Sequence, residues 1–227
     1  MIKAYRWVGL VGVFVLLLVV IGVPSLSAFQ NTIFYQDRFN SSSDGWKVDP
    51  LWTYTEGQYR VFVRNANSIT GSELPDANVA DLSQYCAEVD IKLFTGSGLA
   101  EDGFVGFYIG GTEIPRRQSV PDRAVLFGVD SFERLLVLRT SVNSNNQVSL
   151  NTVTIVDDAF ENPNTFHTLK LEANGSRVRV SIDDQFLANV SVAATGFMGF
   201  MAFTFNDTNL NARFDNVLIR DSCEEDS

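Results

Sequence analysis

Alternating apolar and polar residues organise this chain, most clearly in its last third. Leu169, Leu171 and Ala173 alternate with Thr168, Lys170 and Glu172, and Val178, Val180 and Ile182 alternate with Arg179, Ser181 and Asp183. A period of two is that of a strand with one buried face and one wet face. Asn174-Gly175 between the two runs suits a type I′ hairpin turn, in which both central residues take positive φ. A second turn at Asp183-Asp184 leads into Phe186-Leu-Ala188, so the segment predicts a β-meander.

Upstream the same signal recurs. Thr32 to Phe39 reads as a first strand, and Trp52 to Thr55 with Gln58 to Arg64 as a hairpin around Glu56-Gly57. Asn65 to Ala80 is weakly patterned and predicts a long loop holding one short strand. From Cys86 to Phe94 the apolar positions Ala87, Val89, Ile91 and Leu93 oppose Glu88, Asp90 and Lys92. Phe104-Val-Gly-Phe-Tyr-Ile-Gly-Gly111 is apolar throughout, as a central strand covered on both faces would be. Ala124 to Val129 and Leu135 to Arg139 pair around Asp130-Ser-Phe-Glu133, and Gln147 to Val156 adds another strand. Many short strands with turn residues between them, and no helical period after the N-terminal leader, predict an all-β, two-sheet antiparallel sandwich of jelly-roll type. With no linker, repeat or low-complexity tract in view, residues 29–227 are expected to form one domain.

Residues 1–28 read as targeting. Lys3 and Arg6 precede an unbroken apolar run from Val8 to Val23, and Pro24 with Ser25-Leu-Ser-Ala28 offers a small-residue cleavage site. The expectation is a cleaved signal peptide, with a signal anchor as the alternative and membrane contact only through that segment. Either way the remainder lies outside the cytoplasm, secreted or surface-bound. Two cysteines, Cys86 and Cys223, are then read as one disulfide, as suits an oxidising compartment.

The formal charge of −10 adds a restriction. An acidic surface repels phosphate backbones, and after the leader no basic run exceeds Arg116-Arg117, so nucleic acid is not the expected partner. His167 is the sole histidine. A Ser-His-Asp triad is formally open to it, but no nucleophile-elbow motif accompanies it. One histidine and two distant cysteines do not make a closed zinc site.

Several of these segments carry a resemblance. Asp37-Arg-Phe39, Gly45-Trp46, Trp52 with Gly57-Gln-Tyr59, Tyr85 with Glu88-Val-Asp90, Gly103-Phe-Val-Gly-Phe107, His167-Thr-Leu-Lys-Leu171, Gly196-Phe-Met-Gly-Phe200 and Phe214-Asp-Asn-Val217 resemble the concanavalin A-like lectin/glucanase superfamily. Laminin G-like, keto-disaccharide-hydrolase-like and family 16-like jelly rolls look nearest. The resemblance implies a sugar ligand on a concave face or its rim. Glu88-Val-Asp90-Ile-Lys92 resembles the catalytic strand of family 16 glucanases, but Lys92 stands where the acid/base carboxylate belongs. Retaining hydrolysis needs two carboxylates about 5–5.5 Å apart, so this departure removes the proton donor.

The resemblance also implies structural calcium, held by the Asp215 carboxylate with Gly57 and the Asp37 neighbourhood. Calcium takes six to eight oxygens, so few side chains suffice. Trp52 and Tyr108 are candidates for stacking on sugar rings, and Arg116 and Arg117 for pairing with hydroxyls or with the carboxylates of an acidic glycan. Glu88, Asp90 and Lys92 are then expected as polar contacts to a glycan or polysaccharide. Two other readings stay open: a glycoside hydrolase-like enzyme, and a structural or protein-binding laminin G-like domain.

Overall fold

The computed structural model describes residues 31–40, 46–48, 51–95, 103–113, 120–145, 147–206 and 209–223. The expected leader, 1–28, lies outside them, as do Arg116 and Arg117. Among the described residues there are fifteen strands and one 3-10 turn (Ala77–Asp81), with no α-helix.

In chain order the strands are β1 (Ile33–Asp37), β2 (Lys47–Val48), β3 (Trp52–Thr55), β4 (Gln58–Val63), β5 (Ile69–Glu73), β6 (Gln84–Phe94), β7 (Gly103–Gly111) and β8 (Val125–Asp130). They continue as β9 (Leu135–Val142), β10 (Val148–Val156), β11 (His167–Asn174), β12 (Arg177–Ile182), β13 (Gln185–Ser191), β14 (Phe197–Thr204) and β15 (Leu210–Arg220). Two antiparallel sheets result. The first, sheet A, runs β13-β12-β11-β6-β15-β4-β3 with β1 also paired to β15. The second, sheet B, runs β10-β9-β8-β7-β14-β5-β2. The molecule is an antiparallel β-sandwich.

Alternation decides which side of sheet A is buried. Val89, Ile91 and Leu93 of β6, Leu169 and Leu171 of β11, and Ala212 and Phe214 of β15 point into the space between the sheets. There they meet Phe107, Phe127, Val137 and Phe200 of sheet B. The aromatic residues concentrate at one end of this core. Trp46 stacks on Phe200 at 4.9 Å between centroids, and Phe200 on Phe214 at 4.1 Å. Polar tips are satisfied within the core: the Trp52 indole N–H donates to Thr70 Oγ1 (2.9 Å), and the hydroxyls of Tyr59 and Ser72 lie 2.7 Å apart.

Sheet B is buried on its other face as well. Phe104, Tyr108, Leu126, Leu136, Leu138, Met201 and Phe203 form a second cluster there, covered in part by Val120 and Ala124. This is why β7 reads as continuous apolar sequence. Where β7 and β8 run side by side, Gly106 faces Gly128, and a Cβ at Gly128 would sit 2.1 Å from the Val105 carbonyl oxygen. No larger residue fits that approach.

The two hairpin turns of the meander exchange roles relative to expectation. At the first, Asn174 pairs with Arg177 as part of the ladder, so Gly175 and Ser176 are the central residues, and of these only Gly175 takes positive φ (62°). A glycine at the first central position is the mark of a type II′ turn. At the second, Asp183 and Asp184 both have positive φ (50° and 62°), and this is the I′-like turn. Aspartate tolerates the left-handed region because its short side chain bonds locally: Asp183 Oδ1 accepts from the Thr168 amide at 2.8 Å.

The disulfide joins Cys86 at the start of β6 to Cys223 just after β15, across 137 residues of sequence, with Cα atoms 5.0 Å apart. No helix among the described residues is long and apolar enough to cross a membrane.

Candidate functional site

Because β6 alternates and sits between β11 and β15, its outward residues Glu88, Asp90 and Lys92 share the wet face of sheet A with side chains that no local pattern could have paired with them. Lys170 lies beside Glu88 across β11, and Arg220 reaches it from β15. Glu88 Oε1 accepts from the Arg220 guanidinium at 2.8 Å and lies 3.4 Å from the Lys170 ammonium, which also donates to Asp184 at 2.7 Å. These contacts, the Asp184 bond foremost, raise the Lys170 pKa against the burial that opposes its charge. Asp90 accepts from the Thr168 hydroxyl and from the Asn216 side-chain amide, each at 2.7 Å. Lys92 lies over the Phe94 ring at 4.6 Å.

The third position of this strand therefore carries a cation held on an aromatic ring. Neither acid is free of partners. Lys170, Arg220, Thr168 and Asn216 escaped notice in the sequence because the register that brings them here spans 78 to 132 residues.

Asp215 stands at a junction. β4 pairs with β15 as far as Phe214, and β1 takes up the pairing from Val217, with Asp37 opposite it. The ladder between β15 and β6 shifts register between Asp215 and Leu218, and Asn216 takes positive φ (49°) there. The Asp215 carboxyl is pushed above the usual carboxylate range, first by burial and then by the charges of Asp90 and Asp37, against a lowering bond from the Asn216 amide. The Tyr54 hydroxyl, whose ionisation is opposed by burial and then by Asp37 and Asp215, is buried with no hydrogen-bond partner.

Gly57, in the β3–β4 turn, lies against the Phe39 carbonyl oxygen and the Asn40 side-chain oxygen. Asp37 is heavily engaged: it accepts from the Phe39 amide (2.7 Å), the Trp46 indole (3.1 Å) and the Tyr35 hydroxyl (3.4 Å). Uncompensated negative charge beside several oxygen donors is a setting that a hard cation fits. Asp215 would supply the charged ligand, with Asp37 shaping the turn that presents the carbonyl of Phe39. Another group of metal-type donors, Cys86, Glu88 and Cys223, is closed to a metal because its sulfurs are joined in the disulfide.

Other expectations need correction. Trp52 and Tyr108 are 4% and 0% exposed. Trp52 points between the sheets and Tyr108 into the second apolar cluster, so neither offers a ring face to a ligand. Alternation on their strands sets both directions.

His167 does acquire the two neighbours of a triad, with Asp183 Oδ2 2.7 Å from Nδ1 and Thr165 Oγ1 3.0 Å from Nε2. The Thr165 hydroxyl also bonds the Asn162 carbonyl at 2.9 Å, and the imidazole packs on Phe160. The arrangement ties the 162–165 turn to the Asp183 turn. Beside the disulfide, a polar depression of about 150 Å³ is lined by Gln84, Tyr85, Glu172, Asn174 and Asp221.

Among solved structures, a carbohydrate-binding module CBM66 from Bacillus subtilis superposes with a TM-score of 0.55 at 19% identity, over 78% of this chain and 95% of that one. The exoplasmic/lumenal domain of VIP36, in a form bound to Ca2+ and Man3GlcNAc, superposes at 0.58 with 13% identity, covering 84% and 89%. A Bacillus licheniformis β-glucanase does so at 0.55 with 14% identity, covering 82% and 96%. The fold is the concanavalin A-like jelly roll. No protein-family profile and no curated protein sequence matches the chain. At these identities the likeness fixes the fold, while activity has to be argued from the residues.

Proposed function

We propose that this jelly roll is an exported carbohydrate-binding module that recognises a glycan through the polar outer face of sheet A and performs no hydrolysis there. The observation that carries the reading is the state of the Glu88, Asp90 and Lys92 ladder. Both acids are hydrogen-bonded and held by neighbours, and the third position carries an ammonium group. A partly exposed face of fixed donors and acceptors can bind hydroxyls, but it lacks the free acid and base that glycosidic cleavage requires. The structural neighbours named as a carbohydrate-binding module and as a lectin domain bound to Man3GlcNAc favour sugar over a protein partner. The disulfide supports an oxidising, extracytoplasmic setting. Structural calcium at Asp215, with carbonyl oxygens from the Phe39 and Gly57 turns, belongs to the same proposal.

A glycan array with neutral and acidic members, run beside a reducing-sugar assay, tests the reading. Binding without sugar release is the expected result. Release of reducing sugar that disappears in Glu88→Gln would overturn it in favour of an enzyme, and silence on every glycan would overturn it in favour of a structural or protein-binding domain.

A further inference from the structure

One end of the outer face of sheet A is built differently from the rest. Register places Arg60 of β4 opposite Arg213 of β15, and Arg213 opposite Lys92 of β6. One step along, Phe62 faces Asn211 and Asn211 faces Phe94. At about 4.8 Å between strands, three cations stand in a row roughly 10 Å long.

Like charges directly opposite each other destabilise a sheet, so such a row needs support. The rings supply it. Arg60 and Arg64 both lie 5.2 Å from the Phe62 centroid, Arg213 lies 5.4 Å from Phe94, and Lys92 sits between Phe94 (4.6 Å) and Phe166 (5.7 Å). Hydrogen bonds fix two of the forks: Arg60 Nε donates to Asn211, and Arg213 donates to Glu56 and Gln58. Arg213 alone has a carboxylate partner, for among the described residues neither Arg60, Arg64 nor Lys92 forms an ion pair. In a chain of charge −10, this pre-positioned row, bordered two residues along β15 and β6 by the Asp215–Asp90 pair, leaves Arg60, Arg64 and Lys92 open to an external anion.

We propose that this row binds an anionic polysaccharide, whose carboxylate or sulfate groups meet Arg60, Arg64, Arg213 and Lys92. The inference rests on the carbohydrate reading above and names its ligand class. Planar guanidinium forks held in place match carboxylate and sulfate geometry. Charge density argues against nucleic acid, since a duplex carries one charge per about 1.7 Å of axis and the acidic remainder of the protein would repel it. A polymer with one charge per sugar spreads its charge far more sparsely and suits a single short cationic row. Anionic membrane is disfavoured because the rings of the row offer little apolar surface to insert: Phe62 and Phe94 are half-buried, and Phe166 is 36% exposed.

Isothermal titration with polygalacturonate and with its carboxyl-reduced, neutral counterpart tests the proposal at near-physiological salt. The wild-type protein is expected to bind the charged polymer and not the reduced one, with affinity falling as salt rises. Arg60→Gln/Arg64→Gln/Lys92→Gln is expected to lose about tenfold or more in affinity, while Arg139→Gln on sheet B binds as wild type. Near-UV circular dichroism and the melting temperature confirm that the triple variant is folded.

Unchanged affinity in the triple variant overturns the proposal, as does equal binding of the reduced polymer. Equal binding of a single-stranded oligonucleotide or of phosphatidylserine vesicles also overturns it, by showing polyanion adhesion only. If neutral glycans on the array bind while polygalacturonate does not, this inference fails and the carbohydrate reading survives. If no glycan binds, both fail.

Discussion

Asp215 faces Asp90 directly across the pairing of β15 with β6, two carboxylates on one side of one sheet. Burial and this neighbour, together with Asp37, hold the Asp215 carboxyl above its ordinary pKa. A group whose folded-state pKa is raised binds its proton more tightly when folded. Its contribution is therefore greatest below the unfolded carboxylate value and is lost as pH rises through the folded one. In metal-free buffer, Asp215→Asn should raise the melting temperature at neutral pH and flatten the loss of stability as pH rises from the ordinary carboxylate range toward neutral. Thermal melts across that range read it directly, and a variant less stable than wild type at pH 7 without calcium would contradict this account.

The proposed calcium would reverse the sign. With the ion bound, Asp215 changes from an electrostatic burden into a ligand, so EDTA should lower the melting temperature of the wild-type protein and added calcium should restore it. Binding to the folded state at a hundredfold excess over Kd is worth about 2.7 kcal/mol. Asp215→Asn should show no response to either addition. Equal melts of wild type with calcium and with chelator would remove the ion from the picture.

The Cys86–Cys223 bridge closes a loop of 137 residues, for which the chain-entropy relation gives about 5 kcal/mol. At roughly 2–4 °C per kcal/mol for a domain of this size, reduction or Cys86→Ala paired with Cys223→Ala should lower the melting temperature by about 10–20 °C. Melts with and without reductant measure the change.

Glu88 is the common acceptor for Arg220 and Lys170, and its side chain is 19% exposed. Glu88→Gln leaves two half-buried cations sharing a neutral amide, which should cost about 2 kcal/mol in urea denaturation. Glu88→Ala should cost at least as much. If Glu88→Gln is neutral for stability yet abolishes glycan binding, the carboxylate serves the ligand and not the scaffold.

Much of this architecture was legible along the chain, because alternation is local. The two faces of β6, β11 and β12 follow from counting residues, the hairpin at Glu56-Gly57 from its turn chemistry, and the double burial of β7 from its lack of polar positions. What resisted reading was everything that depends on which strand lies beside which. Trp52 looks the same in sequence whether its ring faces solvent or Thr70. Tyr108 looks like a binding residue until the second apolar cluster closes over it. Asn174-Gly175 shows the limit on a smaller scale, since shifting the turn by one residue changes its type and leaves the tolerant double-aspartate turn to take the I′ role. The cationic row was invisible for the same reason, its members being spread from Arg60 to Arg213.

The two ends of the described sandwich lie side by side, with Ile33 paired to Arg220 and the Asp221 amide bonded to the Thr32 carbonyl at 3.0 Å. Tension between residues 31 and 223 would meet two unequal anchors. On one side β1 has its ladder bonds only to β15, in an orientation that opens them one at a time from the loaded end. On the other, the pull passes through sulfur into β6 at the middle of sheet A and spares β15 altogether. Stretched this way, the molecule would surrender its first strand before the rest, and the outer face that carries Glu88 and Asp90 would stay intact.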